Sequence, residues 1–126
     1  DLISRMCKAW QTPWQDHDIQ WLEQAQQHLH QWPLDQPLNL ETLARKFNIT
    51  EQTYRKKFKR LCSMTPSAFR TRYLIELACQ RLRNSDVPLK QIAEELGYGN
   101  EYYFMRRFKQ IAGVTPGNYR RKAMSG

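Results

Sequence analysis

Phe58-Lys59-Arg60-Leu61-Cys62-Ser63-Met64-Thr65-Pro66-Ser67-Ala68-Phe69-Arg70 returns fifty residues later as Phe108-Lys109-Gln110-Ile111-Ala112-Gly113-Val114-Thr115-Pro116-Gly117-Asn118-Tyr119-Arg120, without a gap. The Phe, Lys, Thr, Pro and Arg positions are identical, and Leu/Ile, Met/Val and Phe/Tyr keep volume and polarity. The stretch holds a helix end, a Thr-Pro restart and an aromatic-Arg pair, three features that unrelated helices do not share by accident. One structural unit has been used twice, and both copies are basic. A chain so built suits two neighbouring stretches of a long polyanion.

Working outward, the elements are all helical. Ile19, Leu22, Ala25 and Leu29 recur at helical spacing, with acidic residues at the start and Pro33 at the end, and predict a helix from Asp16 or Asp18 to Trp32. Asn39 caps a short helix over Leu40 to Phe47; Asn48 takes a left-handed turn; Thr50 caps a third helix over Glu51 to Cys62. Two short helices joined by such a turn describe a helix-turn-helix. Thr65-Pro66 opens an uninterrupted helix to Asn84. The unit then repeats: Leu89, Ile92, Ala93 and Leu96 match Leu40, Leu43, Ala44 and Phe47, Gly97 replaces Asn48, and Asn100 replaces Thr50 ahead of a helix from Glu101 to Ala112. Thr115-Pro116 opens a terminal helix ending in Arg120-Arg121-Lys122. The predicted fold is all-α, two helix-turn-helix subdomains (16–66 and 85–126) joined by a long linking helix (67–84), after a lead-in over 1–15.

Composition narrows the class. The hydrophobic fraction of 40% supports a core, no apolar run reaches membrane-spanning length, and Asp1-Leu2-Ile3-Ser4-Arg5 lacks the form of a signal peptide. Three cysteines at wide spacing fit a reducing cytosol, so the expected location is cytoplasmic. Residues 1–38 hold two Lys or Arg against five Asp or Glu, a net −3; residues 39–126 hold eighteen against seven, a net +11. The basic character belongs to the repeat, as in a nucleic-acid binder.

On the third helix Tyr54, Phe58 and Leu61 form the stripe expected to be buried. Gln52, Arg55, Lys56 and Lys59, at i, i+3, i+4 and i+7, project together on the opposite face. Arg and Lys donate to guanine O6 and N7 and Gln pairs with adenine, so Gln52, Arg55 and Lys56 are base-reading candidates. Lys59 and Arg60, further along, are placed for phosphates. In the second copy Phe104, Phe108 and Ile111 are expected inside. Glu101, Tyr102, Met105 and Arg106 are expected at bases, and Lys109 at the backbone. Thr50, Thr53, Asn100 and Tyr103 sit at the helix starts, where polar groups and N–H groups favour phosphate oxygens.

With these residues in hand, residues 39–121 resemble the DNA-binding domain of the AraC/XylS family of bacterial transcription regulators. The resemblance is most specific over Ile92-Ala93-Glu94-Glu95-Leu96-Gly97-Tyr98-Gly99-Asn100-Glu101-Tyr102-Tyr103-Phe104-Met105-Arg106-Arg107-Phe108-Lys109, then Gly113-Val114-Thr115-Pro116 and Tyr119-Arg120. It implies seven helices, with two recognition helices in successive major-groove segments of double-stranded DNA. It further implies transcriptional control, more often activation, through contact with RNA polymerase. The family's base-reading positions fall on Gln52, Arg55, Lys56, Glu101, Tyr102 and Arg106. Family members usually carry a separate effector-binding or dimerisation domain, which residues 1–15 would adjoin and which this chain is expected to lack. Lys57 and Arg107 depart from the pattern by standing at usually apolar positions, where they reach a phosphate or lay their stems over the core rim. Leu74 stands where the family often has Arg.

An enzyme is disfavoured, because there is no glycine-rich phosphate loop, nucleophile-base pair or carboxylate cluster. His28 and His30, two apart on a helix, diverge and make a poor metal pair, so no metal or cofactor is expected. A non-specific architectural DNA- or RNA-binding module is the alternative, since phosphate contacts alone give salt-sensitive binding. Against it, Gln, Glu, Tyr and Met on the exposed faces are poor choices for mere charge neutralisation.

Overall fold

Apolar residues at helical spacing, punctuated by caps and prolines, produce seven helices and no strand among the residues described, 16–125 of a computed structural model. They are α1 (Asp16–Gln31), α2 (Leu40–Arg45), α3 (Glu51–Cys62), α4 (Pro66–Asn84), α5 (Leu89–Glu95), α6 (Glu101–Ala112) and α7 (Pro116–Ser125). The lead-in expected over 1–15 lies outside the described residues. The chain forms two compact units: one takes in the chain up to Trp32 together with Leu38–Phe69, the other Pro33–Pro37 and the chain from Arg70 onward. The first turn of α4 thus belongs to the first unit and the rest of that helix to the second.

The repeat holds at its turns and at the ends that follow, though Asn39 caps α2 through Thr42 N–H while Pro88 gives α5 no side-chain cap. Ile49 N–H donates to the Ala44 carbonyl at 3.2 Å, and Tyr98 N–H to that of Ala93 at 2.8 Å, closing the same turn in each helix-turn-helix. Ser63 and Gly113 each donate to a lysine carbonyl, Lys59 and Lys109, at 2.9 Å. The hydroxyls of Thr65 and Thr115 accept from Ala68 N–H and Asn118 N–H at 3.1 and 3.2 Å, capping α4 and α7. Each copy also has two left-handed residues: Asn48 and Ser63 at φ 58° and 65° in the first, Gly97 and Gly113 at 83° and 84° in the second.

The first core gathers Leu22, Ala25 and Leu29 of α1, Leu40, Leu43 and Ala44 of α2, and Tyr54, Phe58 and Leu61 of α3. The second gathers Ile75, Ala78 and Leu82 of α4, Ile92, Ala93 and Leu96 from α5 and its end, and Phe104 and Phe108 of α6. Ile111, expected inside, is instead 36% exposed. Its counterpart Leu61 is covered by α1, which has no equivalent among the described residues of the second unit. Helix α1 ends at Gln31, one residue before the expected Trp32, and two other ends differ more. Helix α2 stops at Arg45, because Phe47 and Asn48 bond back to Ala44 and Arg45 in a turn. Helix α7 runs on to Ser125, with no Gly or Pro after Gly117 to stop it before then.

Both repeated arginines turn inward. Arg70 is 6% exposed and donates to the Pro33 carbonyl at 2.8 Å. Arg120 donates to the carbonyls of Leu82, Ser85 and Val87 at 3.3, 3.0 and 2.7 Å, tying α7 to the end of α4 and the loop after it. Two members of the basic count are therefore internal fasteners.

Candidate nucleic-acid interface

Each helix that follows the turn, α3 and α6, is fixed on one face by aromatic residues and exposed on the other. In α3, Tyr54 and Phe58 are fully buried while Gln52, Thr53, Arg55, Lys56, Lys59 and Arg60 are exposed. The helix start is held by the Thr50 hydroxyl, which accepts from Thr53 N–H at 3.2 Å and donates to the Thr53 hydroxyl at 3.0 Å. The Arg55 guanidinium donates to the Glu51 carboxylate at 3.3 Å. Lys57 does not join this face: its ammonium lies 3.8 Å from the Asp18 carboxylate and 4.7 Å from the Trp21 ring centre, over the rim of the core.

In α6, Phe104 and Phe108 are fully buried, and Tyr102, Tyr103, Arg106, Lys109 and Gln110 are exposed. Tyr102 is the most exposed large apolar side chain among the described residues, at 70%. The Asn100 side-chain oxygen accepts from Tyr102 N–H at 2.7 Å and Tyr103 N–H at 3.1 Å, so Asn100, like Thr50, is occupied as a cap. The Tyr103 ring rests against Tyr98 at 5.7 Å while remaining half open to solvent. Glu101 is half-buried, Met105 is half-buried against the second core, and Arg107 donates to Gln110 at 2.9 Å. Burial raises the Tyr98 phenol above its ordinary range, against the opposing pull of the Arg107 charge.

The first face thus brings together Gln52, Arg55, Lys56, Lys59 and Arg60, and the second Tyr102, Arg106 and Lys109, with Glu101 and Met105 drawn back. An amphipathic helix presenting cations and amide or aromatic groups on one face can enter a major groove, donate to base edges and neutralise phosphates. Residue patterning did not reveal a small cleft beside α3, lined by Leu40, Thr65, Pro66 and Ser67 as well as Arg55, Lys56 and Lys59. Three separate stretches of chain, at Leu40, at Arg55 to Lys59 and at Thr65 to Ser67, line it, and residue patterning alone does not bring them together. Among the described residues no group of His, Cys, Asp and Glu is placed to hold a metal ion, and no helix is long and apolar enough to cross a membrane.

This arrangement is that of a double helix-turn-helix domain, and residues 43–122 match the family described as Helix-turn-helix domain. The chain belongs to this family, in its AraC-type branch of transcription regulators rather than enzymes. It is 32% identical over 100 residues to the MmsAB operon regulatory protein of Pseudomonas aeruginosa, covering 79% of this chain and 31% of that protein. The C-terminal domain of AraT, a response regulator from Geobacillus stearothermophilus, superposes with a TM-score of 0.73 at 28% identity, covering 80% of this chain and 84% of that one. The DNA-binding domain of AdpA, a global transcriptional factor solved in complex with a target DNA, shares the fold with a TM-score of 0.66 at 22% identity, covering 86% and 91%. The chain spans about a third of the length of the MmsAB operon regulatory protein.

Proposed function

We propose that this chain is the sequence-specific, double-stranded DNA-binding part of an AraC-type transcription regulator. The observation that carries the reading is the recurrence, on the helix after each turn, of an exposed cationic face backed by buried aromatics. The contact sets are unlike, Gln52, Arg55 and Lys56 on α3 against Tyr102 and Arg106 on α6, so the preferred site is asymmetric. Lys59, Arg60, Thr53, Tyr103, Lys109 and Arg107 supply backbone contacts. The family resemblance, and relatives that this chain spans only in part, extend the reading to three properties of the whole regulator. These are activation through RNA polymerase, dimerisation through a part beyond this chain, and residence in the bacterial cytoplasm on the nucleoid.

Selection of bound duplexes from a random-sequence pool at near-physiological salt tests this. Enrichment of two unlike blocks about one helical turn apart, roughly 10 bp, is expected. Salt-sensitive retention without enrichment would instead make the chain a non-specific architectural binder. On the selected site, Arg106→Ala is expected to relax preference at one position at a cost of about 1–3 kcal/mol, while Lys59→Ala weakens all sequences and reduces the salt slope by about 1.

A further inference from the structure

The turn that precedes α6 is backed by a second piece of chain. The Pro33 carbonyl accepts from Gln36 N–H at 3.3 Å and from the Arg70 guanidinium at 2.8 Å, so a turn over residues 33–36 is held from the interior by a charge. Leu34 packs against the second core, and its carbonyl oxygen would lie 2.2 Å from an ideal Cβ on Gly97. Tyr98, the next residue, donates its N–H to the Ala93 carbonyl and sets its ring 5.3 Å from that of Phe104, a buried aromatic of α6. Burial lowers the Arg70 pKa while Tyr73 and Tyr98 oppose the shift, which puts the guanidinium within electrostatic reach of the same Tyr98. All of these residues belong to the second unit. The matching position in the first copy, Asn48, is exposed and keeps a whole side chain, so the repeat does not account for this backing. A reading side chain must be held within about 0.5 Å of its productive place by the groups behind it. We propose that Arg70 positions α6 as a DNA reader: by fastening the turn at residues 33–36 against Gly97, it fixes the turn from which that helix starts. The reader role rests on the DNA-binding reading above; the fastening does not.

The test compares Arg70→Met, which keeps most of the stem and removes the donors, with the unaltered chain. Amide exchange is followed first. At Tyr98 and Phe104, whose N–H groups donate to the Ala93 and Asn100 carbonyls, it should quicken about tenfold; at the matching Ile49 and Tyr54 it should not change. Duplexes altered in one block at a time are then measured, the α6 block being the one that Arg106→Ala affects. The unaltered chain should lose about tenfold for a changed base pair in either block. Arg70→Met should keep that discrimination at the α3 block and fall below about threefold at the α6 block, whereas general destabilisation would lower both alike. Pro33→Gly, an exposed change that loosens the turn without emptying the interior, should repeat the pattern, and it replaces Arg70→Met if urea denaturation finds that variant unfolded. Discrimination kept at both blocks or lost at both, or exchange quickened equally in the two copies, would overturn the proposal. If the unaltered chain binds no duplex, the DNA reading fails and takes the reader role with it, while exchange still decides the fastening.

Discussion

Replacing Gly97 by alanine should destabilise the second unit by about 2–5 kcal/mol, and the contributions can be separated. Gly97 sits at φ +83°, where a side chain costs about 1–2 kcal/mol in any surroundings. An ideal Cβ there would also fall about 1 Å inside the roughly 3.3 Å separation of an ordinary carbon–oxygen contact with the Leu34 carbonyl oxygen, and 3.4 Å from Asp35 Cα. Those are backbone atoms, so no rotamer change relieves the overlap. The segment Pro33–Pro37 would have to move, although Arg70 holds it through the Pro33 carbonyl. Overpacking of this kind adds about 1–3 kcal/mol. Gly113 supplies the control: its φ is +84° and nothing lies within 4 Å of an ideal Cβ, so Gly113→Ala should cost only the conformational part, about 1–2 kcal/mol. Urea unfolding followed by circular dichroism measures both. Asparagine tolerates the left-handed region, so Gly97→Asn should remain costlier than Gly113→Asn. Equal losses at the two glycines, within about 0.5 kcal/mol, would refute the close approach of residues 33–37 to the turn.

Other perturbations test the cores. Tyr54 buries its hydroxyl without a protein partner, and Phe104 stands at the matching position of the second copy; Tyr54→Phe should therefore raise stability by about 1 kcal/mol, and a comparable loss in urea unfolding would show the hydroxyl to be engaged. Arg120→Lys should cost about 1.5–3 kcal/mol because an ammonium cannot span the three carbonyls, while Arg121→Lys on the exposed side should stay within about 0.5 kcal/mol in the same assay. His28 has its pKa lowered, first by burial and then by the Lys46 charge. The unfolded chain therefore takes that proton more readily, so its contribution is complete above about pH 6.5 and declines as pH falls below it. Melting temperatures at several pH values should fall on the acid side, and His28→Gln should flatten that slope; an unchanged slope would remove His28 as the cause.

What the sequence revealed follows from the range of the interactions involved. Helices α3 and α6 were legible because their caps, Thr50 and Asn100, are local chemistry. The turns at Asn48 and Gly97 were legible for the same reason. The steric demand on Gly97 was not, because it comes from Leu34, more than sixty residues away. The fate of Ile111 was equally hidden: its spacing copies that of Leu61, and only the presence or absence of a covering helix separates the two. Met105 shows the reverse, a residue read from its register as exposed that packs against a core. The cleft stayed invisible because Leu40 and the Thr65–Ser67 turn meet only in three dimensions.

On the proposed reading, the two DNA-facing helices solve one physical problem by different means. A long cationic side chain that binds in one geometry loses up to about 2 kcal/mol of rotamer freedom, so a reader benefits from groups ordered beforehand. On α3 the Glu51 carboxylate, one turn before Arg55, does this with an exposed i,i+4 pair worth about 0.3–0.5 kcal/mol, which a base edge can displace at little cost. On α6 the residue one turn before Arg106 is Tyr102, which offers no charge. There the ordered element is the aromatic side chain itself, stiff by virtue of two rotatable torsions and set at the helix start by the Asn100 cap on its own N–H. The first helix therefore orders a flexible cation through a neighbour, and the second relies on an intrinsically rigid contact beside an untethered Arg106. Exchanging these devices, by Glu51→Ala or Tyr102→Ala, should consequently fail in different ways. The first would leave contacts intact but less ordered, and the second would remove contact area outright.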